Sequence, residues 1–420
     1  MTVTAATQRS RRTPWGVVLL RSLVVLGLAV AVVLATAVAF APAPAVEATA
    51  VPIAAEPEAE AASVEWPDSR SAGYGVVGVD GSARTAGSTD AHPMASVTKL
   101  VTVLVVLDRH PIASDSRGAD IVLDSADVDA LGAAIADNAP IAPVYDGMVV
   151  SQRDLVEWAL VDSAANAAWS LARWGFGSID GFLTAADDFA ARHGLTQTDL
   201  ADPSGLDAAS VSSAADLVQI GLMAVDDPVI LGTLQLESVR IPGIGIAPNT
   251  NRILGEGDVD GGKTGTLRVW GRNLFATAVR TVDGEQRRVV AIVMGTITAD
   301  GIDAQMLALV ESLWDDFGER VSLPEGTVVA EYRAPWGDTV EATTTADIAV
   351  DSFGDIVPSA SAEVRSVEVD APRGEVGEAW AVVGEERIAV PVRTGGMLPG
   401  PDVQWRLANA VEVLGWYGLW

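Results

Sequence analysis

The sequence predicts an α+β fold: an antiparallel sheet with covering helices and an all-helical lobe, followed by a small β-rich C-terminal domain. Three observations carry this. Strand-like text at 73–79 runs into an Asp80-Gly81 turn, and a second pair, 273–280 and 288–294, is joined through Val282-Asp283-Gly284, a dipeptide type favoured in tight hairpins. Between these strands, apolar residues recur at helical spacing over 154–162, 165–174, 179–193 and 214–224, and again over 303–317. From Ser322 onward the text turns to short β-type runs, such as 327–332 and 379–383, punctuated by Gly and Pro.

Taken in order, the chain begins with Arg9, Arg11, Arg12 and Arg21, which precede or enter an uncharged stretch lasting to Glu47. Its apolar core, 22–41, matches the ~20 residues that span a bilayer. Small-residue sites such as Ala43-Pro44-Ala45 also suit signal-peptidase cleavage. Residues 1–46 are therefore expected to be a signal peptide or an N-terminal membrane anchor, which places the rest outside the cytoplasm. Residues 47–68, rich in Ala, Pro and Glu, suit a flexible linker. The net charge is −29, and beyond residue 46 there are 23 basic against 56 acidic residues. So acidic a chain is ill matched to nucleic acid. With no Cys there is no disulfide scaffold.

The central domain is expected over 69–321. Its first and last segments meet in one sheet, the helices are inserted between them, and a cleft lies between sheet and lobe. Trp158, Trp169 and Trp174 sit at helix-compatible spacings and read as lobe packing. The β-rich domain is expected over 322–400. The end, 401–420, reads as a helix followed by an aromatic tail with Trp405, Trp416, Tyr417 and Trp420. Such a tail suits a membrane interface or packing on its own domain. The sequence gives no oligomeric state.

The chemistry concentrates at two lysines. Among 27 basic residues only Lys99 and Lys263 are Lys. A guanidinium stays charged in proteins, whereas burial can drive an ammonium to its neutral form. Ser96 and Lys99 are spaced i, i+3 at the head of an almost wholly apolar run to Leu107, so on a buried helix they share one face. An amine beside a hydroxyl is one way to activate a poor nucleophile. Lys263 lies in Val259-Asp260-Gly261-Gly262-Lys263-Thr264-Gly265-Thr266, the strand before the hairpin. Gly265 on an exposed edge would let a peptide backbone pair with that strand, and Lys263 would hold a carboxylate and depress the pKa of Lys99.

S-x-x-K followed by K-T-G resembles the signature of serine penicillin-binding proteins and β-lactamases. Further segments resemble the D-alanyl-D-alanine carboxypeptidases of peptidase family S11: Met94–Lys99, Asp202-Pro203-Ser204-Gly205-Leu206-Asp207, Pro248-Asn249-Thr250-Asn251-Arg252 and Val259–Gly265, in that family's order over 74–321. The resemblance implies a penicillin-binding-protein-like fold and a serine carboxypeptidase. Such an enzyme releases the terminal D-alanine of peptidoglycan stem peptides through an acyl-enzyme on Ser96 and is inhibited by β-lactams. Lys99 would be the base and Ser163 the proton relay. The backbone N–H groups of Ser96 and Thr266 would form the oxyanion hole, and Lys263, Thr264 and Gly265 would bind substrate. It implies no cofactor and no metal, and a membrane partner only through the N-terminal segment.

Two positions depart from the family pattern. Where it has S-x-N, this chain reads Ser163-Ala164-Ala165-Asn166, so Ala165 stands at the usual Asn position and Asn166 is the candidate substitute for binding substrate. Where several members carry an Arg that grips the terminal carboxylate, this chain has Ile302. These leave two alternatives: a weakly active or inactive wall-binding protein, and a DD-endopeptidase or β-lactamase of the same superfamily. His92, His110 and His193 have no metal-ligand spacing. There is no G-x-S-x-G elbow, Walker A motif or dinucleotide fingerprint.

Overall fold

The apolar N-terminal run forms helix α1 (Trp15–Ala39), 25 residues long with one charged side chain, Arg21, and only Val38 buried. It is long and apolar enough to cross a membrane. The computed structural model describes residues 15–53, 63–354, 359–383 and 386–418, so Arg9, Arg11 and Arg12 lie outside the described residues. The chain divides into two units: 1–57 with 321–350 and 358–420, and 58–320 with 351–357. The stretch expected as a flexible linker is ordered at both described ends. Val46 pairs with Val367, and Ala48–Ala50 form strand β1. Trp66 stacks on Tyr74 at 5.5 Å between ring centroids. Residues 54–62, the middle of that expected linker, lie outside the described residues. Composition misses such order because β1 is held by backbone hydrogen bonds that any residue type can make.

The larger unit is built on a five-stranded antiparallel sheet. Two strands come early, β2 (Ser71–Val76) and β3 (Arg84–Gly87). Seven helices follow: α2 (Thr98–Arg109), α3 (Ser125–Ala136), α4 (Gln152–Leu160), α5 (Ala165–Phe176), α6 (Ile179–Arg192), α7 (Ala214–Asp226) and α8 (Pro228–Leu234). Then come β4 (Val259–Leu267), β5 (Gly271–Val282), β6 (Glu285–Thr296) and α9 (Ala299–Leu313). The strand order is β4-β5-β6-β2-β3, so β6 meets β2 and the K-T-G strand β4 is an edge. Asp283 and Gly284 both have positive φ, 52° and 87°, as the two-residue D-G hairpin requires.

Both faces of this sheet are covered, which is why β5 and β6 read as nearly continuous apolar text. Phe275, Val290, Ile292 and Met294 point to one side and share a core with Leu217 and Val218 of α7. Leu274, Ala276, Val289, Ala291 and Val293 point to the other and pack with Met306, Leu309 and Leu313 of α9. Helix α2 is buried from Thr98 to Leu107 and forms the centre of the lobe. Trp158 is buried in the lobe core, and its indole N–H donates to the Arg240 carbonyl. Helices α3 and α8 have no counterpart in the sequence reading. Helix α3 buries only Asp127 and Ala134, so it carries no apolar stripe, and it is started instead by a capping box between Asp124 and Asp127.

The smaller unit closes a β-rich domain, with β7 (Val328–Arg333), β8 (Thr339–Thr344), β9 (Ala360–Val364), β10 (Glu375–Val383) and β11 (Glu386–Thr394). With β1 they form a six-stranded sheet ordered β1-β7-β8-β11-β10-β9. The tail forms α10 (Val403–Ala408) and α11 (Ala410–Gly415). Two of its tryptophans pack within this unit: Trp405 stacks on Trp416 at 6.1 Å, and both meet Trp336 edge-on, while Trp420 lies outside the described residues. Arg406 donates to the Ala41 carbonyl and Tyr417 to that of Pro42, beside the end of α1.

Candidate active site

Ser96 sits in a 3₁₀ turn, Ala95–Val97, that runs directly into α2. The residue before it, Ala95, has φ 51°, a conformation that costs an alanine energy and persists only where its surroundings enforce it. Those surroundings are two glycines. A Cβ on Gly205 would lie 1.9 Å from the Ala95 carbonyl oxygen, and one on Gly265 would lie 2.8 Å from the Met94 carbonyl oxygen and 3.1 Å from the Ser96 nitrogen. Gly265 is therefore needed because the K-T-G strand presses against the serine's own turn, which the expectation of an approaching peptide did not include. That contact seats the K-T-G strand against the turn that carries Ser96.

Lys99, one helical turn on, places Nζ 2.8 Å from Ser96 Oγ and donates to the Ser204 carbonyl at 2.7 Å. The amine is fully buried, and desolvation drives its pKa down to about 7, against a smaller upward pull from Asp202. Burial is the larger cause of the shift, and the charges of Lys99 and Lys263, which repel one another, add to it. Asp202 builds the wall that receives Lys99. Its carboxylate accepts from the backbone N–H groups of Ser204, Gly205 and Asp207 and from the Ser204 hydroxyl, which fixes the loop that aims the Ser204 carbonyl. These residues were visible in the D-P-S-G-L-D segment, but their role as the acceptor for Lys99 needed the geometry.

Lys263, also fully buried, donates to Ser163 Oγ at 2.9 Å and to the Thr264 carbonyl at 2.9 Å. Desolvation lowers its pKa well below the ordinary lysine value, and the charge of Lys99 lowers it further, opposed by Asp162. Burial in turn raises Asp162 to about 6, against the pull of Lys263. Ser163, with φ 67°, is a second strained residue at the site. Thr264 Oγ1 donates to Thr250 Oγ1 at 2.8 Å.

The structure thus brings Ser96, Lys99, Ser163, Lys263, Thr264, Gly265 and Thr266 together. It does not bring Asn166. That side chain is buried and spends its amide on Ala142, accepting from the backbone N–H at 2.9 Å and donating to the carbonyl at 2.8 Å. It pins the loop before α4 and is corrected here from substrate ligand to scaffold. Sequence position alone misleads because the next residue on a helix points about 100° away. Ile302 is buried against Met306 and Leu309 on the cleft side of α9.

The cleft has a volume of about 270 Å³. Ser96, Ser163 and Thr264–Thr266 line it together with Thr250, Arg252, Arg272, Asn273 and Asp303. Asn273 was missed by the sequence reading. Its Nδ2 donates to the Pro93 and Met94 carbonyls, both at 2.9 Å, and ties β5 to the serine's turn. Among the described residues no group of three or more His, Asp and Glu side chains is placed to hold a metal ion. His92 stacks on Trp270 at 4.5 Å, and His110 pairs with the Gly175 carbonyl.

The arrangement supplies a hydroxyl nucleophile, a buried amine of lowered pKa and a second hydroxyl–amine pair across the cleft, which together suit acyl transfer. Known proteins agree with the geometry. The family model for D-alanyl-D-alanine carboxypeptidase (Peptidase_S11) matches residues 85–298, just over half of the chain. D-alanyl-D-alanine carboxypeptidase DacD of Salmonella typhimurium is 32% identical over 251 residues, 58% of this chain and 62% of its own length. The chain therefore spans less than two thirds of that relative. A D-alanyl-D-alanine endopeptidase of Pseudomonas aeruginosa is 33% identical over 132 residues, 30% of this chain and 38% of its own. In fold, penicillin binding protein 5 from Haemophilus influenzae superposes with a TM-score of 0.56 at 22% identity, covering 80% of this chain and 99% of that one. The match of motif order, fold and site geometry identifies the chain as a member of the D-alanyl-D-alanine carboxypeptidase family, peptidase family S11.

Proposed function

We propose that this protein is a serine-type D-Ala-D-Ala carboxypeptidase that trims the terminal D-alanine from peptidoglycan stem peptides outside the cytoplasm and is acylated by β-lactams. One observation carries the reading: an amine with a pKa of about 7 lies 2.8 Å from the hydroxyl of Ser96. Neutral Lys99 takes the Ser96 proton as Oγ attacks the penultimate D-alanine carbonyl. The negative charge that develops on that oxygen is met by the N–H groups of Ser96 and Thr266, and preorganised donors of this kind supply a few kcal/mol. As the intermediate collapses, the C–N bond breaks and the departing D-alanine nitrogen receives a proton from Ser163, which Lys263 holds in place and which regains its proton from the Lys99 ammonium, so that Lys99 is neutral again. Water then attacks the ester on Ser96 while neutral Lys99 takes the water's proton, and as the C–Oγ bond breaks Lys99 returns that proton to Ser96 Oγ and the shortened peptide leaves.

The apolar helix α1 supports an extracytoplasmic location, as a retained anchor or as an export signal. Ala165 and Ile302 favour a second reading, a weakly active wall-binding protein that keeps the fold. One experiment separates them: intact-mass analysis over time after addition of a penicillin, with Ser96→Ala as control. The proposal expects a single lasting adduct that is absent in Ser96→Ala. Rapid consumption of the drug without a lasting adduct would mean a β-lactamase, and neither adduct nor turnover would leave the binding protein.

A further inference from the structure

Ala95 holds φ 51° immediately before the nucleophile, so the turn that carries Ser96 keeps its shape only while its neighbours enforce it. Asn273 is one of those neighbours: its Nδ2 donates to the Pro93 and Met94 carbonyls, both at 2.9 Å. A side-chain amide does this in one orientation alone, because the flipped group would set an oxygen against two carbonyl oxygens. Two donors fix that orientation. The Gly295 N–H reaches Asn273 Oδ1 at 3.1 Å, and the indole N–H of Trp270 reaches it at 3.0 Å. An indole N–H donates and never accepts, so Trp270 admits only the oxygen of the amide.

Trp270 also holds the same turn by its face. His92, two residues before Met94, stacks on the indole at 4.5 Å between ring centroids and 26° between planes. The Nε2 atom of His92 is buried and has no hydrogen-bond partner, so the imidazole serves here by its ring surface. The guanidinium of Arg70 lies over the indole, 4.9 Å from the ring centroid. Trp270 itself stands in the turn between β4 and β5, and its N–H closes that turn onto the Leu267 carbonyl at 3.1 Å. One side chain thus joins the tip of the K-T-G hairpin to the residues leading into Ser96, by a hydrogen bond through Asn273 and by a ring stack on His92. Neither Trp270 nor His92 lines the cleft.

We propose that Trp270, with His92 as its stacking partner, is a positioning residue for acylation: it keeps the Asn273 amide in the orientation that holds the Pro93 and Met94 carbonyls, and so keeps Ser96 Oγ in register with the K-T-G strand. The inference rests on the acyl-transfer reading above and adds to it a residue pair outside the reacting groups. The bond chemistry stays with Ser96 and Lys99, on which Trp270 acts through Asn273.

The test follows penicillin acylation of the full chain in detergent by quenched intact mass over a range of drug concentrations. This separates the first-order acylation constant at saturation from the apparent dissociation constant, and thermal melts show that each variant compared is folded. Trp270→Phe keeps a ring for His92 and removes the N–H donor. It is expected to lower the acylation constant about 10-fold, the size of a lost hydrogen bond, with the dissociation constant unchanged. Trp270→Ala removes both contacts and is expected to lower it about 100-fold, the cost of a misplacement of order 1 Å. His92→Phe, which retains a ring, keeps the wild-type constant, and His92→Ala does not. The double variant Trp270→Phe with Asn273→Ala should acylate no more slowly than Asn273→Ala alone, because the two side chains act as one unit. Losses that multiply in the double variant would make Trp270 merely structural and overturn the proposal. So would a Trp270→Phe enzyme with the wild-type constant, or one whose sole defect is weaker drug binding. His92→Phe as slow as His92→Ala would overturn the role given to the ring stack. Wild type that is never acylated would overturn the acyl-transfer reading, and the proposal with it.

Discussion

At Lys99 the protein converts a strong base into a usable one by withholding water. An exposed lysine near pH 7 is almost wholly protonated and cannot accept a proton from serine. Buried against the Ser204 carbonyl, Lys99 titrates at about 7 and is half neutral there. Acylation needs the neutral amine, so its rate is expected to rise through one protonation step with a midpoint near pH 7 and to level off above it. Lys99→Arg carries a group that never becomes neutral, and loss of a positioned base typically costs 10²- to 10⁴-fold. Penicillin acylation rates measured by intact mass between pH 5.5 and 9 test both points. A flat wild-type profile, or an arginine variant of full activity, would require another base.

The nucleophile's turn is assembled by elements distant in sequence, and there the limits of sequence reading are plainest. The hairpin at Asp283-Gly284, the buried helix from Lys99 to Leu107 and the two lysines were all legible, because each depends on local chemistry: a turn residue, an apolar run, an amine among guanidiniums. What stayed hidden depends on contacts between elements. Gly205 and Gly265 look like ordinary loop and strand glycines until their missing Cβ atoms are seen to face Met94 and Ala95. Asn166 looked like a ligand because it stands one place from Ala165, and the helix turned it to Ala142 instead. Asn273 gave no signal at all, yet it fastens β5 to the residues before Ser96. Replacing it with alanine strands the Pro93 and Met94 carbonyls, although the latter lies in a tight turn that also receives the Val97 N–H. Asn273→Ala is expected to lose about 1–3 kcal/mol of stability, and to acylate more slowly because the serine's turn loosens. Chemical denaturation and the penicillin assay read these separately. A variant of wild-type stability would show that the tie between strand and turn is dispensable.

For the molecule as a whole, the two buried amines make stability rise with pH in the alkaline range, opposite to a lysine held by a salt bridge. An unfolded lysine stays protonated to about pH 10.4, whereas folded Lys99 loses its proton near 7 and Lys263 is also held well below its ordinary value. Between pH 7 and about 10 the unfolded chain therefore binds more protons than the native one, and stability rises with pH across that window. Below pH 7 the cost of burying Lys99 is fully present; it fades as the pH rises from about 7 and is gone near pH 10, where the unfolded lysine also loses its proton. Asp162, raised by burial to about 6, titrates below this window. Lys99→Met keeps a similar volume and removes the titration. It should be more stable than wild type at pH 7, and its advantage should shrink steadily toward pH 10. Thermal melts of both proteins at matched ionic strength measure that difference, and the salt must be matched because a chain of net charge −29 repels itself strongly at low salt. A gap that stays constant with pH would mean that Lys99 is charged in the native state, and the base in the acyl transfer would then have to be sought elsewhere.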